Sequence, residues 1–181
     1  MRILKFLISI LVVLFGIFIV GGFLIPSEWM VSRSVVIHAH AEQIYPYVSH
    51  FKEWEKWSPW SSRKDVTLHY VYEGPESGAG SKQSWKSDTM GSGWMKLTSA
   101  DPQSGVAYDL FIDMGQSQST LHGTIHFTPE GGDTKVTWTD KGDAGTNFVK
   151  RWLSLVIKFM IGKEFNTGLA DLKVLVEQSK K

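Results

Sequence analysis

Between Lys5 and Glu28 the chain carries no charge, and the stretch from Phe6 to Ile25 reads Phe-Leu-Ile-Ser-Ile-Leu-Val-Val-Leu-Phe-Gly-Ile-Phe-Ile-Val-Gly-Gly-Phe-Leu-Ile. Wound as a helix, these 20 residues span roughly 30 Å, the thickness of a bilayer's hydrocarbon core. A helix apolar on every side has few places in a soluble fold. A cleaved signal peptide has a shorter apolar region, ~7–15 residues, closed by a small-residue site, and Ile25-Pro26-Ser27-Glu28-Trp29 offers no such pattern. The sequence therefore predicts an uncleaved transmembrane helix over residues 6–25, with residues 1–5 before it and a linker over 26–30 after it. Arg2, Lys5 and the amino terminus precede the span, whereas Glu28 and Arg33 nearly cancel beyond it. The positive-inside rule then places the N-terminus in the cytosol and the rest of the chain on the extracytoplasmic side of the cytoplasmic (inner) membrane. Trp29 suits the aromatic belt at the interface.

The body of the chain beyond the span is of a different character. Setting Arg2 and Lys5 aside from the 19 Lys and Arg leaves 17, against 18 Asp and Glu, with no long block of either sign. No basic face is available to neutralise phosphates, which argues against nucleic acid as a partner. The chain has no cysteine, and this excludes disulfides, thiol nucleophiles and cysteine-ligated metals. A body of roughly 155 residues fits one domain with one sizeable core.

Hydropathy patterning predicts the elements of that body. A strand is expected over Val31–Ile37, then a helical stretch from about Ala41 to Trp57, with Ile44, Tyr45, Val48 and Phe51 on one face and Pro46 near the first turn. Six alternating runs come next, Thr67–Glu73, Ser81–Ser87, Trp94–Ala100, Val106–Met114, Ser117–Phe127 and Thr134–Asp140, each bounded by turn residues. Their short connections argue for antiparallel pairing. In Val106–Met114 one parity holds Val106, Tyr108, Leu110, Ile112 and Met114, and the other holds Asp109 and Asp113. The same alternation turns Leu121, Gly123, Ile125, Phe127, Val136 and Trp138 inward, so one face of the sheet is dry and the other wet. From Asn147 to about Ser179 the period is helical. Phe148, Trp152, Leu155 and Phe159 form a stripe that Phe165, Leu169, Leu172 and Val176 continue, with a break or shift expected near Gly162 to Lys163.

The order of strand, helices, six-stranded meander and long C-terminal helix is accompanied by a set of local motifs. They are Arg33-Ser-Val-Val-Ile37, Trp57-Ser-Pro-Trp60, Gly74-Pro75, Gly78-Ala-Gly80 with Trp85, Gly91-Ser-Gly93, Thr134-Lys-Val-Thr-Trp138, and Met160-Ile-Gly162 through Gly168-Leu169 to Leu172-Lys173. In these features residues 31 to about 177 resemble the START-like, or SRPBCC, superfamily and its polyketide cyclase/dehydrase-like branch. The resemblance implies an α+β helix-grip fold over residues 31–179, a seven-stranded curved antiparallel sheet around the C-terminal helix, here preceded by one transmembrane helix. It also implies a cavity between sheet and helix of the kind that holds apolar or amphipathic ligands. It implies no shared catalytic set, because the superfamily mixes enzymes and carriers.

The polar motifs read mostly as structure. His122 and His126 stand at i and i+4, but on a strand that spacing separates them by roughly 13 Å, too far for one metal ion. His38 and His40 flank a strand-to-helix junction without a carboxylate pattern and read as surface residues. Gly78-Ala-Gly80-Ser-Lys82 and Gly91-Ser-Gly93 precede strands rather than helices, which makes them hairpin turns and not phosphate loops. Asp109 and Asp113 point to the wet face. Asp88, Asp140 and Asp143 stand at strand ends or loops, where one of them could reach a cavity mouth. No catalytic residue, metal ligand or cofactor is assigned.

The aromatic residues carry more information. Large rings fill a sheet-to-helix gap as core, and the same rings with tyrosine tips build an apolar ligand pocket. The candidates for the cavity wall are Trp57, Trp60, Tyr70, Trp85, Tyr108, Leu110, Ile125, Trp138, Phe165 and Leu169. The sequence thus supports a membrane-anchored module binding a lipid-like or other apolar small molecule. Its rivals are a cavity enzyme of the cyclase or dehydratase kind, which two titratable side chains converging in the cavity would favour, and an envelope adaptor without a ligand.

Overall fold

A computed structural model describes residues 2–115 and 117–179. Met1, part of the segment expected in the cytosol, lies outside the described residues. The elements in chain order are α1 (Arg2–Leu24), β1 (Glu28–Ile37), α2 (Ala41–Ser49), α3 (Phe51–Trp57), β2 (His69–Glu73), β3 (Lys82–Ser87), β4 (Gly91–Asp101), β5 (Gly105–Asp113), β6 (Gln118–Glu130), β7 (Asp133–Asp143) and α4 (Phe148–Gln178). The seven strands form one antiparallel sheet in the order β1-β7-β6-β5-β4-β3-β2. Every neighbour but one follows directly in the chain, and the exception closes the fold. β1 returns to pair with β7 from Glu28↔Asp143 to Ile37↔Thr134, bringing the first strand beside the last.

The inner face of the sheet is set by alternation. Val106, Tyr108 and Leu110 on β5, Leu121, Ile125 and Phe127 on β6, and Val136 and Trp138 on β7 are all buried. Their neighbours of opposite parity face outward. On that wet face Asp109 and His122 pair across strands, with Oδ1 and Nδ1 2.6 Å apart. α2, α3 and the second half of α4 cover the dry face. Phe165, Leu169, Leu172 and Val176 of α4 are each 0–1 % exposed. Two glycines permit the close approach of α4: a Cβ at Gly168 would press on Trp138 and Pro59, and one at Gly162 would overlap the Arg33 guanidinium.

The structure corrects four expectations. β1 begins at Glu28, three residues ahead of the expected strand, and so takes in most of the linker. Trp29 accordingly packs on Gly142 of β7. The helical stretch 41–57 is two helices, separated at His50, whose extended backbone (φ −119°, ψ 109°) ends one and starts the other. Pro46 lies inside α2, past its first turn, where it removes one backbone donor.

The fourth correction concerns the stripe of α4, a helix that runs unbroken for 31 residues through Gly162, so that of the break or shift expected there it is a shift that occurs. Its first stripe does not enter the core: Leu155 is 43 % and Phe159 74 % exposed. The two stripes are out of phase, since the six residues from Phe159 to Phe165 make about 1.7 turns of a helix. The chain resolves this by changing the apolar face on a straight helix rather than by breaking it.

Candidate functional site

Between the dry face of the sheet, α3 and the segment after α3 lies a cavity of about 300 Å³. Its closed end is polar and fully buried. The indole Nε1–H of Trp138 donates to the Tyr108 hydroxyl at 2.7 Å, and that hydroxyl donates to Oδ1 of Asp140 at 2.6 Å. Tyr108 and Asp140 stand at the same height, in register across Gly123 of β6, and Trp138, two residues before Asp140 on β7, shares its inward parity. Gly123 on β6 makes the crossing possible, since a methyl group there would overlap both the Tyr108 ring and the Asp140 carboxylate.

Burial dominates the electrostatics of this pair. Asp140 is 3 % exposed, and desolvation lifts its carboxyl from the ordinary range to about 6, against the smaller opposing effect of the Tyr108 hydrogen bond. Burial likewise pushes the Tyr108 phenol well above its usual value, aided by the adjacent carboxylate. The closed end therefore holds a group able to gain or lose a proton near neutrality.

The walls are mainly apolar, with Ser58 and Gln83 among them. Trp60, Trp85, Leu110 and Met95 line them, and Trp85 lies flat over the bare backbone of Gly93. Tyr70 joins them with its hydroxyl donating to the Trp60 carbonyl at 2.9 Å. Glu55 also reaches the cavity. Its Oε2 accepts from the Ser62 amide and hydroxyl, at 3.1 and 2.6 Å, whereas its buried Oε1 has no hydrogen-bond partner among the described residues.

The open end is a rim of Thr89, Met90, Met114 and Ile161. Asp65 braces one side of it by accepting from the hydroxyls of Thr67, Ser87 and Thr89 at 2.5–2.6 Å. Those hydrogen bonds hold its carboxyl well below the usual carboxylate range. Flexible methionine side chains thus stand beside a braced turn at this end.

Six of the ten residues expected at the cavity line it: Trp60, Tyr70, Trp85, Tyr108, Leu110 and Trp138. The remaining four, Trp57, Ile125, Phe165 and Leu169, are buried in the core behind that wall. Phe165 stacks on the far face of Trp138 at 4.1 Å between ring centres, and the Trp57 indole donates to the Tyr47 carbonyl at 2.9 Å. Asp140 and Glu55 were not among the expected residues. For Asp140 the signal is present in the sequence, because the parity of Val136 and Trp138 extends to it once β7 is carried past residue 140. Among the described residues no group of three or more His, Asp or Glu is arranged to hold a metal ion.

An antiparallel sheet closed around one long helix, with a cavity between the sheet and the covering helices, defines the START-like helix-grip class. A sequence model described as polyketide cyclase / dehydrase and lipid transport matches residues 28–177. The chain belongs to that family. No curated protein matches it. Among solved structures it is similar in fold to hypothetical protein jhp0584 from Helicobacter pylori, with TM-score 0.63 and 8% identity over 83% of this chain and 89% of the other. It is similar also to the Aha1 dimer from Colwellia psychrerythraea, with TM-score 0.60 and 18% identity over 84% and 99%. A third is a norcoclaurine synthase mutant from Thalictrum flavum in complex with a transition-state analogue, with TM-score 0.59 and 15% identity over 85% and 97%. At these identities the likeness concerns the fold alone.

Proposed function

We propose that the protein is a membrane-anchored binder of a lipid-like or other apolar small molecule, held in the cavity with its polar end toward Tyr108 and Asp140. The observation that carries this reading is the cavity itself, lined mainly by apolar side chains, open at a methionine-bearing rim, with Tyr108 and Asp140 at its closed end and a few further polar groups, Glu55, Ser58 and Gln83, on its walls. Its volume of about 300 Å³ stands at the lower end of the range for small-molecule sites. That size suits a short amphipathic molecule or part of a longer acyl chain.

The anchor is α1, one N-terminal helix long and apolar enough to cross a membrane. Its far end is built into the body, which supports an anchor that is retained rather than removed. Gly22 is buried against Phe148, and the Arg151 guanidinium donates to the Phe23 and Ile25 carbonyls at 3.0 and 3.1 Å. A cation at a helix C-terminus satisfies carbonyls that have no partner within the helix. Arg2 and Lys5 support a cytosolic N-terminus with the body outside.

The test is native mass spectrometry of the full chain, extracted in detergent, with identification of whatever stays bound. A retained apolar molecule is expected, and Leu110→Trp, which fills the wall, should lose it, whereas Thr124→Lys on the outer face should keep it. A full chain that retains nothing and shows no saturable binding of a fluorescent fatty acid would overturn the reading.

The Tyr108–Asp140 pair favours a second reading, in which the cavity also catalyses a proton transfer. A carboxyl poised near 6 beside a bound molecule is what a general acid or base requires. On this reading Asp140→Asn still binds the retained molecule but no longer converts it, and a variant that converts it at the wild-type rate would eliminate the carboxyl as the base.

A further inference from the structure

The first half of α4 presents its apolar side chains away from the body. Of the large hydrophobic residues left exposed beyond α1, half fall between Val149 and Met160: Val149, Leu153, Leu155, Val156, Phe159 and Met160, at 43–74 % exposure. At 3.6 residues per turn they occupy a broad outward arc centred opposite the arc that carries Phe165, Leu169 and Leu172 into the core, with Leu155 at its edge. Lys150, Arg151 and Lys158 lie off that arc. This is the arrangement of a helix at a lipid interface, with bulky apolar residues on one face and cations on the other.

The patch is continuous with α1. The Trp152 indole stacks on Phe18 at 5.8 Å and donates to the Phe18 carbonyl at 2.9 Å, while Phe148 meets Phe18 and Phe23, both at 5.8 Å. Gly21 and Gly22 leave the room for these contacts, since a Cβ on either would overlap Trp152 or Phe148. Phe18 stands seven residues before the end of the apolar run, so Trp152 reaches about 10 Å down the anchor. The helix that begins there ends its apolar arc at Met160, and the next residue, Ile161, lines the rim of the cavity.

We propose that the outward face of α4 from Val149 to Met160 is embedded in the same membrane as α1, holding the cavity rim against the bilayer so that the ligand passes between lipid and cavity without crossing water. This rests on the reading of α1 as a membrane anchor. A soluble partner protein covering the same face would leave it wet in pure lipid, an outcome that a quenching measurement detects as failure.

The chain has no cysteine, so single substitutions introduce a unique thiol for an environment-sensitive fluorophore. The full-length protein is placed in phosphatidylcholine/phosphatidylglycerol vesicles with the fluorophore at Phe159→Cys or Leu153→Cys. Phe15→Cys reports on α1, and Asn166→Cys and Ala170→Cys report on the outward arc of the second half. A lipid-borne nitroxide should quench most of the emission at positions 153, 159 and 15, and iodide in the water should quench 166 and 170 instead. Quenching by lipid at 15 with free access of iodide to 153 and 159 overturns the proposal and leaves the anchor standing. Access of iodide to 15 overturns the anchor, and with it this inference.

Discussion

α4 is one helix with two opposite solutions to the same problem. From Phe165 to Val176 its large apolar residues, Phe165, Leu169, Leu172 and Val176, face the sheet, and its outward arc carries Asn166, Thr167, Ala170 and Asp171 with Val174 alone among bulky apolar residues. From Val149 to Met160 the outward arc is apolar and bulky. Periodicity is equally clear in both halves, because period reports that a helix has a dry side and not which medium makes it dry. What separates them is phase, and the phase changes at Gly162, where the Arg33 guanidinium packs against the backbone. Hydrophobic phase along a single helix can therefore divide the part that builds a core from the part that faces something else.

Substitution on either side of Gly162 tests this division most directly. Phe165→Ala removes a ring that is fully buried and stacked on Trp138, and should cost about 3–5 kcal/mol, read as a lowered denaturation midpoint of the full chain in detergent. A loss below about 1 kcal/mol would place the second half of α4 outside the core and collapse the distinction.

The interior closed by that second half has a titration of its own. Burial raises the Asp140 carboxyl to about 6, so the folded state holds this proton more tightly than the unfolded chain. Its stabilising effect is complete below the unfolded value, about pH 4, and is lost as pH rises through about 6, a loss on the order of 3 kcal/mol. Asp140→Asn, which keeps an acceptor for the Tyr108 hydroxyl, should match wild type at about pH 4 and exceed it by that amount at about pH 7.5. Unfolding curves that keep a constant offset between these two values would show that the closed end is wetter than its burial implies.

The smallest effect is expected on the outer side. Phe159→Ser changes a side chain that is 74 % exposed and should shift stability in detergent by no more than about 0.5 kcal/mol. A large destabilisation would mean that the first half packs on the body as the second half does.

The sheet was legible in the sequence because one of its faces is wet. Val106, Tyr108 and Leu110 alternate with Asp109, and no helical reading accommodates that pattern. The strand ends were less so, for a physical reason. Glu28, Trp29 and Met30 gain their extended conformation from pairing with Lys141, Gly142 and Asp143, and neither segment signals a strand without the other. That pairing carries β7 beyond residue 140, so reading the strand as finished there left Asp140 at a terminus instead of in the cavity wall. Large inward aromatics are legible from alternation, but composition cannot divide those bordering empty space, such as Trp60 and Trp85, from those such as Trp57 whose neighbours leave no gap. That difference depends on packing across three elements distant in sequence.

The junction between Leu24 and Glu28 has a further consequence. Three residues separate α1 from β1, one of them is Pro26, and the Ser27 carbonyl accepts from the Ala144 amide at 2.8 Å. A domain hung from a long flexible leader samples many orientations, and each encounter with its target must select one of them. Here the orientational freedom is removed during folding, so that what α1 fixes in space is the azimuth of the whole sheet as well as its distance.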